Sequence, residues 1–214
     1  MTLKKFLTLF LITWMFSLQG SLYSQQFDGG ILAGGALSQV DGDYWTGFTK
    51  AGFLAGGFVS LELSPNSSLQ LELEYIQKGS KKNDYYEQNA FHTYLLRLHY
   101  LEIPLLYQFT FLKRIQVEAG PVADVLLGYQ EQVDGQEVPN KYPFREVTLA
   151  GIVGVSGYIT KHLKATFRFN YSLLSLRQLE PQANPWKNFL FERGQFNNVM
   201  SLSVAYQFKG RRNW

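Results

Sequence analysis

The sequence contains no cysteine among its 214 residues. That absence excludes a disulfide scaffold, a cysteine-ligated zinc site, a thiol nucleophile and a lipid-modified N-terminal cysteine. Charged residues make up only 17% of the chain, below the ~25% that is usual for soluble domains. A formal net charge of +3 supplies no basic stripe, so we expect no nucleic-acid partner. A GxxxxGK(S/T) phosphate loop is also missing from the sequence, and nucleotide-driven chemistry is not expected.

The N-terminal segment, residues 1–24, has the parts of a secretory signal peptide. Lys4 and Lys5 form a positive region, an apolar core runs over 6–18, and small residues lead to Ser24. This order predicts a cleaved signal, with 25–214 forming a single domain. A membrane-anchor helix is the less favoured alternative, because the apolar run is short for a span and polar residues follow it.

After residue 24, no segment has the ~18 uncharged apolar residues that a membrane-spanning helix needs. The most apolar stretch, 95–112, is interrupted by Arg97, His99, Glu102 and Pro104. The dominant pattern is alternation with a period of two, which is typical of β-strands. In 69–75, LQLELEY, the odd positions are Leu, Leu, Leu and Tyr, and the even positions are Gln, Glu and Glu.

Eight segments show this alternation and predict eight strands. They run over about 28–38, 51–62, 68–78, 92–109, 115–129, 146–159, 163–173 and 198–208. Long polar connections (39–50, 79–91, 130–145 and 174–197) alternate strictly with short ones (64–68, 110–114 and 160–162). Long loops at one rim and tight turns at the other are typical of outer-membrane barrels, of which eight strands are the minimum. We therefore predict an all-β fold, an eight-stranded antiparallel up-and-down transmembrane β-barrel.

Alternation alone does not say which face of the sheet points outward, since a lipocalin-like soluble barrel places its apolar face inward around a ligand. Three features favour apolar side chains outside. Ionisable residues recur on the polar face, aromatic residues recur near strand ends as they do at bilayer interfaces, and the last strand runs up to Phe208. In lipid, every backbone N–H and C=O needs a partner, which a closed barrel supplies. We expect lipid to contact the face carrying Leu69, Leu71, Leu73 and Tyr75.

Three segments resemble one known family. Residues 100–107, YLEIPLLY, resemble the YLEIPLL motif of PorT-family outer-membrane β-barrel proteins, and 118–122, EAGPV, are similar to the EAGP segment that follows it. Residues 167–173 are similar to the family's RY-x-YGL strand, although Phe169 and Leu174 replace expected residues and the glycine after Ser172 is missing. The resemblance implies an outer-membrane barrel of a Gram-negative bacterium. The family is named for a component of the type IX secretion and gliding machinery, and most of its members have no assigned activity.

A narrow barrel is filled by its own side chains, so charged residues on the polar face are candidates for a lumen network. These candidates are Glu72, Glu74, Arg97, Glu102, Glu118 and Arg168. A static salt-bridge network is the favoured interpretation, because a buried charge must be paired; a proton path or a small ligand site is the alternative. Arg97 and Glu102 lie an odd number of residues apart, so we predict a bulge near 102–104, beside Pro104, that brings both into the lumen.

Metal and catalytic chemistry have little support in the sequence. His92, His99 and His162 are dispersed, with no HxxxH or HExxH spacing, so we expect neither a metal nor a cofactor. A lipid-modifying barrel enzyme would place a Ser/His or His/Asp set at one rim, and His92 is the one candidate, without a recognisable partner motif. We therefore expect no enzymatic activity.

The long loops are the more promising working surface, because binding residues concentrate on loops held by a rigid scaffold. A loop contact surface is predicted at Trp45, Lys81, Lys82, Trp186, Lys187 and Arg193, and Lys78 is assigned to the same loop as Lys81. Basic and aromatic side chains suit contacts with lipopolysaccharide phosphates or with secretion or envelope proteins; a solvated rim is the alternative. The predicted function is a non-enzymatic outer-membrane scaffold or binding surface, not an open pore, with an accessory role in secretion as the first alternative.

Overall fold

The computed structural model describes residues 27–41, 47–85, 91–137, 143–177 and 194–209. The predicted signal peptide, 1–24, lies outside these residues. Within them, no helix is long and apolar enough to cross a membrane.

The described chain is built from eight long strands and one short one. The strands are β1 (Phe27–Asp41), β2 (Lys50–Ser64), β3 (Ser67–Tyr85), β4 (Phe91–Leu112), β5 (Ile115–Val133), β6 (Gln136–Glu137), β7 (Val147–Tyr158), β8 (Leu163–Ser172) and β9 (Phe196–Gln207). The two-residue β6 folds back on the end of β5. All eight predicted strands are present, and β3, with 19 residues, is much longer than the predicted 68–78.

The eight long strands close into a ring. Each pairs antiparallel with its neighbours in the order β1, β2, β3, β4, β5, β7, β8, β9, and β9 pairs with β1 over Gly30–Asp41. Closure leaves no free edge strand, as lipid requires. The predicted fold, an all-β antiparallel up-and-down barrel of eight strands, is confirmed.

Side chains alternate between the lumen and the outer wall, with one interruption in β5. On β3, Glu72 is 1% exposed while the adjacent Leu73 is 53% exposed. The outward residues of β4 form an unbroken apolar row: Leu101, Ile103, Leu105, Tyr107, Phe109 and Phe111. Ten residues of tilted strand correspond to a height of about 25 Å, which is the apolar band of an outer-membrane barrel.

The two rims differ as the connection lengths predict. Turns 65–66, 113–114 and 159–162 form what we call the short-turn rim. At the long-loop rim, β3, β4 and β5 continue past the apolar band, so 79–85 and 130–133 are strand and not loop as expected. Aromatic Tyr206 and Phe208 are exposed on the outer wall at the short-turn rim, as interfacial side chains should be; Tyr94 and Tyr158, in contrast, lie on inward-facing positions.

The bulge predicted in β4 near 102–104 is wrong. Residues 94–110 of β4 alternate without interruption, and the register shift lies in β5, where Leu127 is the extra residue opposite His99 and Tyr100. Because the alternation of β4 is unbroken, Arg97 and Glu102 stay on opposite faces of the sheet. Glu102 is in the lumen, and Arg97 is exposed on the outer wall.

Candidate functional site: a sealed lumen with two ion-pair clusters

Arg168 of β8 is the centre of the first cluster in the lumen. Its Nη1 donates to Glu72 Oε2 at 2.6 Å and its Nη2 to Glu72 Oε1 at 2.7 Å, so the contact with β3 is bidentate. Its Nε donates to Glu118 Oε1 of β5 at 2.5 Å. A planar guanidinium fits two carboxylates in this way, where a lysine would make point contacts.

Uncharged side chains satisfy the remaining oxygens of this cluster. Gln108 Nε2 donates to Glu118 Oε2 at 2.9 Å and Gln70 Nε2 donates to Glu72 Oε1. Ser68 Oγ in turn donates to Gln108 Oε1 at 3.1 Å. Arg168 and both carboxylates are at least 95% buried, and such satisfied networks hold a unique side-chain arrangement.

Lys78 of β3 is the centre of the second cluster. Its Nζ donates to Asp124 Oδ2 at 2.9 Å and forms a salt bridge with Glu102. Asn170 Nδ2 of β8 donates to Glu102 Oε1 at 3.1 Å, which spans the lumen. Glu74, whose Oε1 lies 4.0 Å from Arg168 Nη1, pairs in register with Glu102 and so stands between the two clusters.

The long-loop end of the lumen is filled with apolar side chains. Val40, Leu96, Leu98 and Leu176 are fully buried in one cluster that also contains Phe144. The segments that carry Phe144 and Leu176 are joined by a bridge between Phe144 and Arg177 and by backbone hydrogen bonds. These contacts close the lumen at this rim, and we call this apolar cluster the seal.

Arg177 fastens this seal to the barrel wall. Its Nη2 donates to Glu131 Oε1 of β5 at 2.7 Å, its Nε donates to Gln195 Oε1 at 2.8 Å, and the guanidinium lies 4.3 Å from the Phe144 ring centroid. Tyr94 Oη donates to the same oxygen of Glu131 at 2.8 Å. The register shift at Leu127 is what brings Tyr129 and Glu131 to the inner side here, opposite the inward Leu98 and Leu96.

The short-turn end is open to a polar pocket of about 420 Å³. Its lining includes Ser60, Glu62, Ser68, Thr110, Gln116 and Gln207, and it ends at Gln70 and Gln108, which contact the Arg168 cluster. The lumen of the described chain is therefore a blind pocket, closed first by ion pairs and then by apolar side chains.

The structure brings together five of the six residues predicted for the lumen network. Glu72, Glu74, Glu102, Glu118 and Arg168 face one another inside the barrel, whereas the expectation for Arg97 is wrong, because the alternation of β4 places it outside. Two members were missed. Lys78 was expected in a loop but is fully buried, and Asp124 was not singled out. The alternation of the strands predicts both positions. Lys78 lies an even number of residues from Glu72 and Glu74, and Asp124 lies an even number from Glu118, so each shares the inner face of its strand.

Of the predicted loop contact surface, Lys81 is exposed on the outer wall of β3 and Lys82, half-buried, lies on the inner side. Trp45, Trp186, Lys187 and Arg193 lie outside the described residues.

The histidines lie apart from one another. His99 Nδ1 hydrogen-bonds the Tyr75 hydroxyl at 2.5 Å on the outer wall. His162 lies in the last short turn, stacked on Tyr206. His92 is in β4, and its side chain is not among those described. Among the residues described, no group of three or more His, Asp or Glu side chains is placed to hold a metal ion.

Comparisons with solved structures find the same fold. Ail, the attachment invasion locus protein of Yersinia pestis, is 13% identical with a TM-score of 0.50, and the match covers 86% of this chain and 99% of Ail. Neisserial surface protein A is 12% identical with a TM-score of 0.52, covering 84% of this chain and 97% of that protein. Ail was also solved with the heparin analogue sucrose octasulfate, at 12% identity, a TM-score of 0.50 and the same coverage. At these identities the likeness concerns the fold alone.

No curated protein matches this chain by sequence. A family model does, over residues 19–178, and its description is "Outer membrane protein beta-barrel domain". The match includes β1 to β8, and with the closed ring and the apolar outer band it establishes that the chain belongs to the outer-membrane β-barrel domain family.

Proposed function

We propose that this protein is a non-enzymatic outer-membrane barrel that acts as a scaffold or binding surface through its long-loop rim, and not as an open pore. The blockage of the lumen is the observation that supports the proposal best. A permeant molecule would have to displace both buried ion-pair clusters and the apolar seal around Phe144 and Leu176. Breaking a buried ion pair costs several kcal/mol, so spontaneous opening is rare.

The rim offers chemistry for anionic partners. The predicted loop contact surface (Trp45, Lys81, Lys82, Trp186, Lys187 and Arg193) combines basic and aromatic side chains, which suit phosphate or sulfate groups through charge-assisted hydrogen bonds. Ail, a barrel of the same fold, was solved with a heparin analogue. We therefore propose lipopolysaccharide or an anionic envelope component as partner, besides the bilayer.

Export is part of the proposal. The segment 1–24 has the order of a signal peptide, and cleavage after Ser24 would leave the barrel domain to be inserted into the outer membrane. N-terminal sequencing of the protein from the membrane fraction tests this step; a mature chain that retains Lys4 and Lys5 would contradict it.

A second candidate function is an accessory role in protein secretion. The PorT-like motifs at 100–107 and 118–122 support it. Membership of the PorT family is part of this second candidate. It predicts that crosslinked and gently extracted protein co-purifies with secretion components; a lone monomer would count against it. A lipid-modifying activity is the least supported candidate, and an unchanged lipid A profile for His92→Ala would remove it.

Planar-bilayer conductance tests the blocked lumen. We expect the reconstituted protein to show no sustained open level. The double substitution Phe144→Ser and Leu176→Ser weakens the seal but leaves the ion-pair clusters intact, so it should give at most brief openings. A steady conductance of the unsubstituted protein would refute the proposal that the barrel is no pore.

Photo-crosslinking in intact cells tests the binding surface. A photoreactive residue at position 81 or 82 should give a discrete adduct of constant mass, whereas the same residue at Lys113, in a turn of the opposite rim, should not. Identification of the adduct as a phosphorylated glycolipid or an envelope protein supports the proposal. No adduct at either long-loop position, or the same adduct at Lys113, contradicts it.

A further inference from the structure

The outer wall carries two cations directly above the apolar band. On β4, the outward positions after Leu101 are His99 and then Arg97; on β3, those after Tyr75 are Gln77, Gly79 and Lys81. Arg97 pairs in register with Gly79 and Lys81 with Leu95, so Arg97 and Lys81 are diagonal neighbours on one face. Such neighbours lie roughly 7–8 Å apart, within reach of a shared ligand for long side chains.

No acidic side chain compensates these charges in the part of the chain that the structure describes. None of the salt bridges there includes Lys81 or Arg97, and the one side-chain hydrogen bond of Arg97 goes to the neutral Gln130 at 3.2 Å. Like charges held together repel one another, and an anion between them relieves the repulsion.

The position of the pair fixes the kind of anion. Tyr75 and His99, joined by their hydrogen bond, mark the upper edge of the apolar band, where amphipathic rings suit the membrane interface. Below them, Phe53 and Leu73 are half exposed on the same wall. A lipid whose phosphate lay at Arg97 and Lys81 would place its acyl chains along these apolar side chains. Gly79, opposite Arg97, adds no side chain to this part of the wall.

We propose that Arg97 and Lys81 form a binding site for the phosphate group of an anionic lipid of the outer leaflet. The site lies on the barrel wall and shares Lys81 with the predicted loop contact surface. It rests on the proposed function in one respect: the long-loop rim is placed at the outer leaflet, where the longer loops of outer-membrane barrels lie. It does not depend on any partner of the loops. The guanidinium of Arg97 supplies paired donors for phosphate oxygens, and Lys81 supplies a point charge.

Native mass spectrometry of the detergent-solubilised protein tests the site independently of membrane orientation. The probe is a diphosphoryl lipid A glycolipid, and its phosphate-free counterpart is the lipid control. We expect the double variant Arg97→Gln/Lys81→Gln to bind the phosphorylated glycolipid about tenfold more weakly than the unsubstituted protein does. The matched control, Lys113→Gln/Lys161→Gln, removes two exposed cations from the opposite rim and should bind unchanged.

Four results would overturn the proposal: equal binding by the double variant and the unsubstituted protein, an equal loss in the control variant, equal binding of the phosphate-free glycolipid, or displacement of the lipid by an equimolar amount of inorganic phosphate. The last result would indicate a free-phosphate site. Heat-modifiable gel mobility reports whether each variant folds. If the double variant does not fold, the single variants Lys81→Gln and Arg97→Gln replace it, and each should lose affinity several-fold. Because position 81 belongs to both surfaces, the crosslinking result at position 82 separates them. Glycolipid binding here with no adduct at position 82 would support this site and contradict the proposed loop function.

Discussion

Arg168 and Glu118 lie on strands that are not neighbours, β8 and β5, yet their side chains join across β7 with Nε and Oε1 2.5 Å apart. The same guanidinium reaches Glu72 of β3 on the far side of the lumen. One side chain therefore ties three separate parts of the ring together. Gly154 of β7 lies between Arg168 and Glu118, and a Cβ at that position would meet Phe167 O, Arg168 Cγ and Glu118 Oε1 at about 3 Å.

Replacing Arg168 by methionine tests the first cluster. Two buried carboxylates would lose their cation, and such a loss costs about 3–5 kcal/mol. We expect the free energy of unfolding in urea, measured in lipid vesicles, to fall by that amount. Arg145→Met, which removes an arginine from the seal region but no ion pair of the lumen, is the comparison; an equal loss there would mean that the Arg168 contacts contribute nothing specific.

In the second cluster, we predict that removing the acidic charges restores most of the stability lost when Lys78 is replaced. Lys78→Met alone leaves Glu102 and Asp124 buried without their cation and should lower the free energy of unfolding by about 3–5 kcal/mol. Adding Glu102→Gln and Asp124→Asn removes both charges, and most of the loss should be recovered. A triple variant no more stable than Lys78→Met would show that packing, and not charge pairing, sets the cost.

Gly79 is constrained by its backbone as well as by space. Its φ is +137° and a Cβ there would lie 2.0 Å from Leu96 O, so Gly79→Ala should destabilise the barrel by at least ~1–3 kcal/mol. Gly151→Ala is the matched control, because a Cβ at that site meets nothing within 4 Å. Equal unfolding midpoints for the two variants would contradict the strand geometry at Gly79.

An arginine on the outer wall should cost more the deeper it lies in the lipid. Leu71 pairs with Leu105 near the middle of the apolar band, and Leu71→Arg should lower the free energy of unfolding in vesicles by about 2–4 kcal/mol. Gln77→Arg, on the same face of the same strand but above Tyr75, should cost about 0–1 kcal/mol. A cost that does not depend on depth would argue that the wall is not in lipid.

Much of the fold follows from local patterns in the sequence. Alternation in 69–75 and in 163–171 identifies two strands and their faces, and connection length identifies the rims, because tight turns and long loops cannot exchange places in an up-and-down barrel. The sequence does not predict the extensions of β3 and β5, because polar residues on both faces, such as Lys81 and Lys82, hide the period of two. In these extensions the strands are held by pairing with one another and by the seal. Such contacts join segments that are distant in the sequence, so the alternation of residues along one strand does not show them.

The candidate site was predictable in membership but not in pairing. Parity assigns Glu72, Glu74, Glu118 and Arg168 to one interior. The same parity assigns Lys78 and Asp124 to it, because the predicted strands 68–78 and 115–129 already include both residues. Which carboxylate meets which cation depends on the register around the whole ring, and sequence spacing does not give it. Arg97 is the exception: Pro104 suggests a bulge in β4, whereas the strand keeps its alternation through Pro104 and the irregularity falls in β5.

The central claim is that lipid surrounds the apolar face of this sheet. Nitroxide spin labels at Leu71 and Leu73, with a label at Lys81 as the reference above the band, measure it directly in reconstituted vesicles. The account predicts that the first two labels are relaxed by oxygen dissolved in lipid and shielded from a water-soluble nickel chelate, and that the label at Lys81 shows the reverse. Labels at Leu71 and Leu73 that are open to the nickel chelate would contradict the membrane barrel.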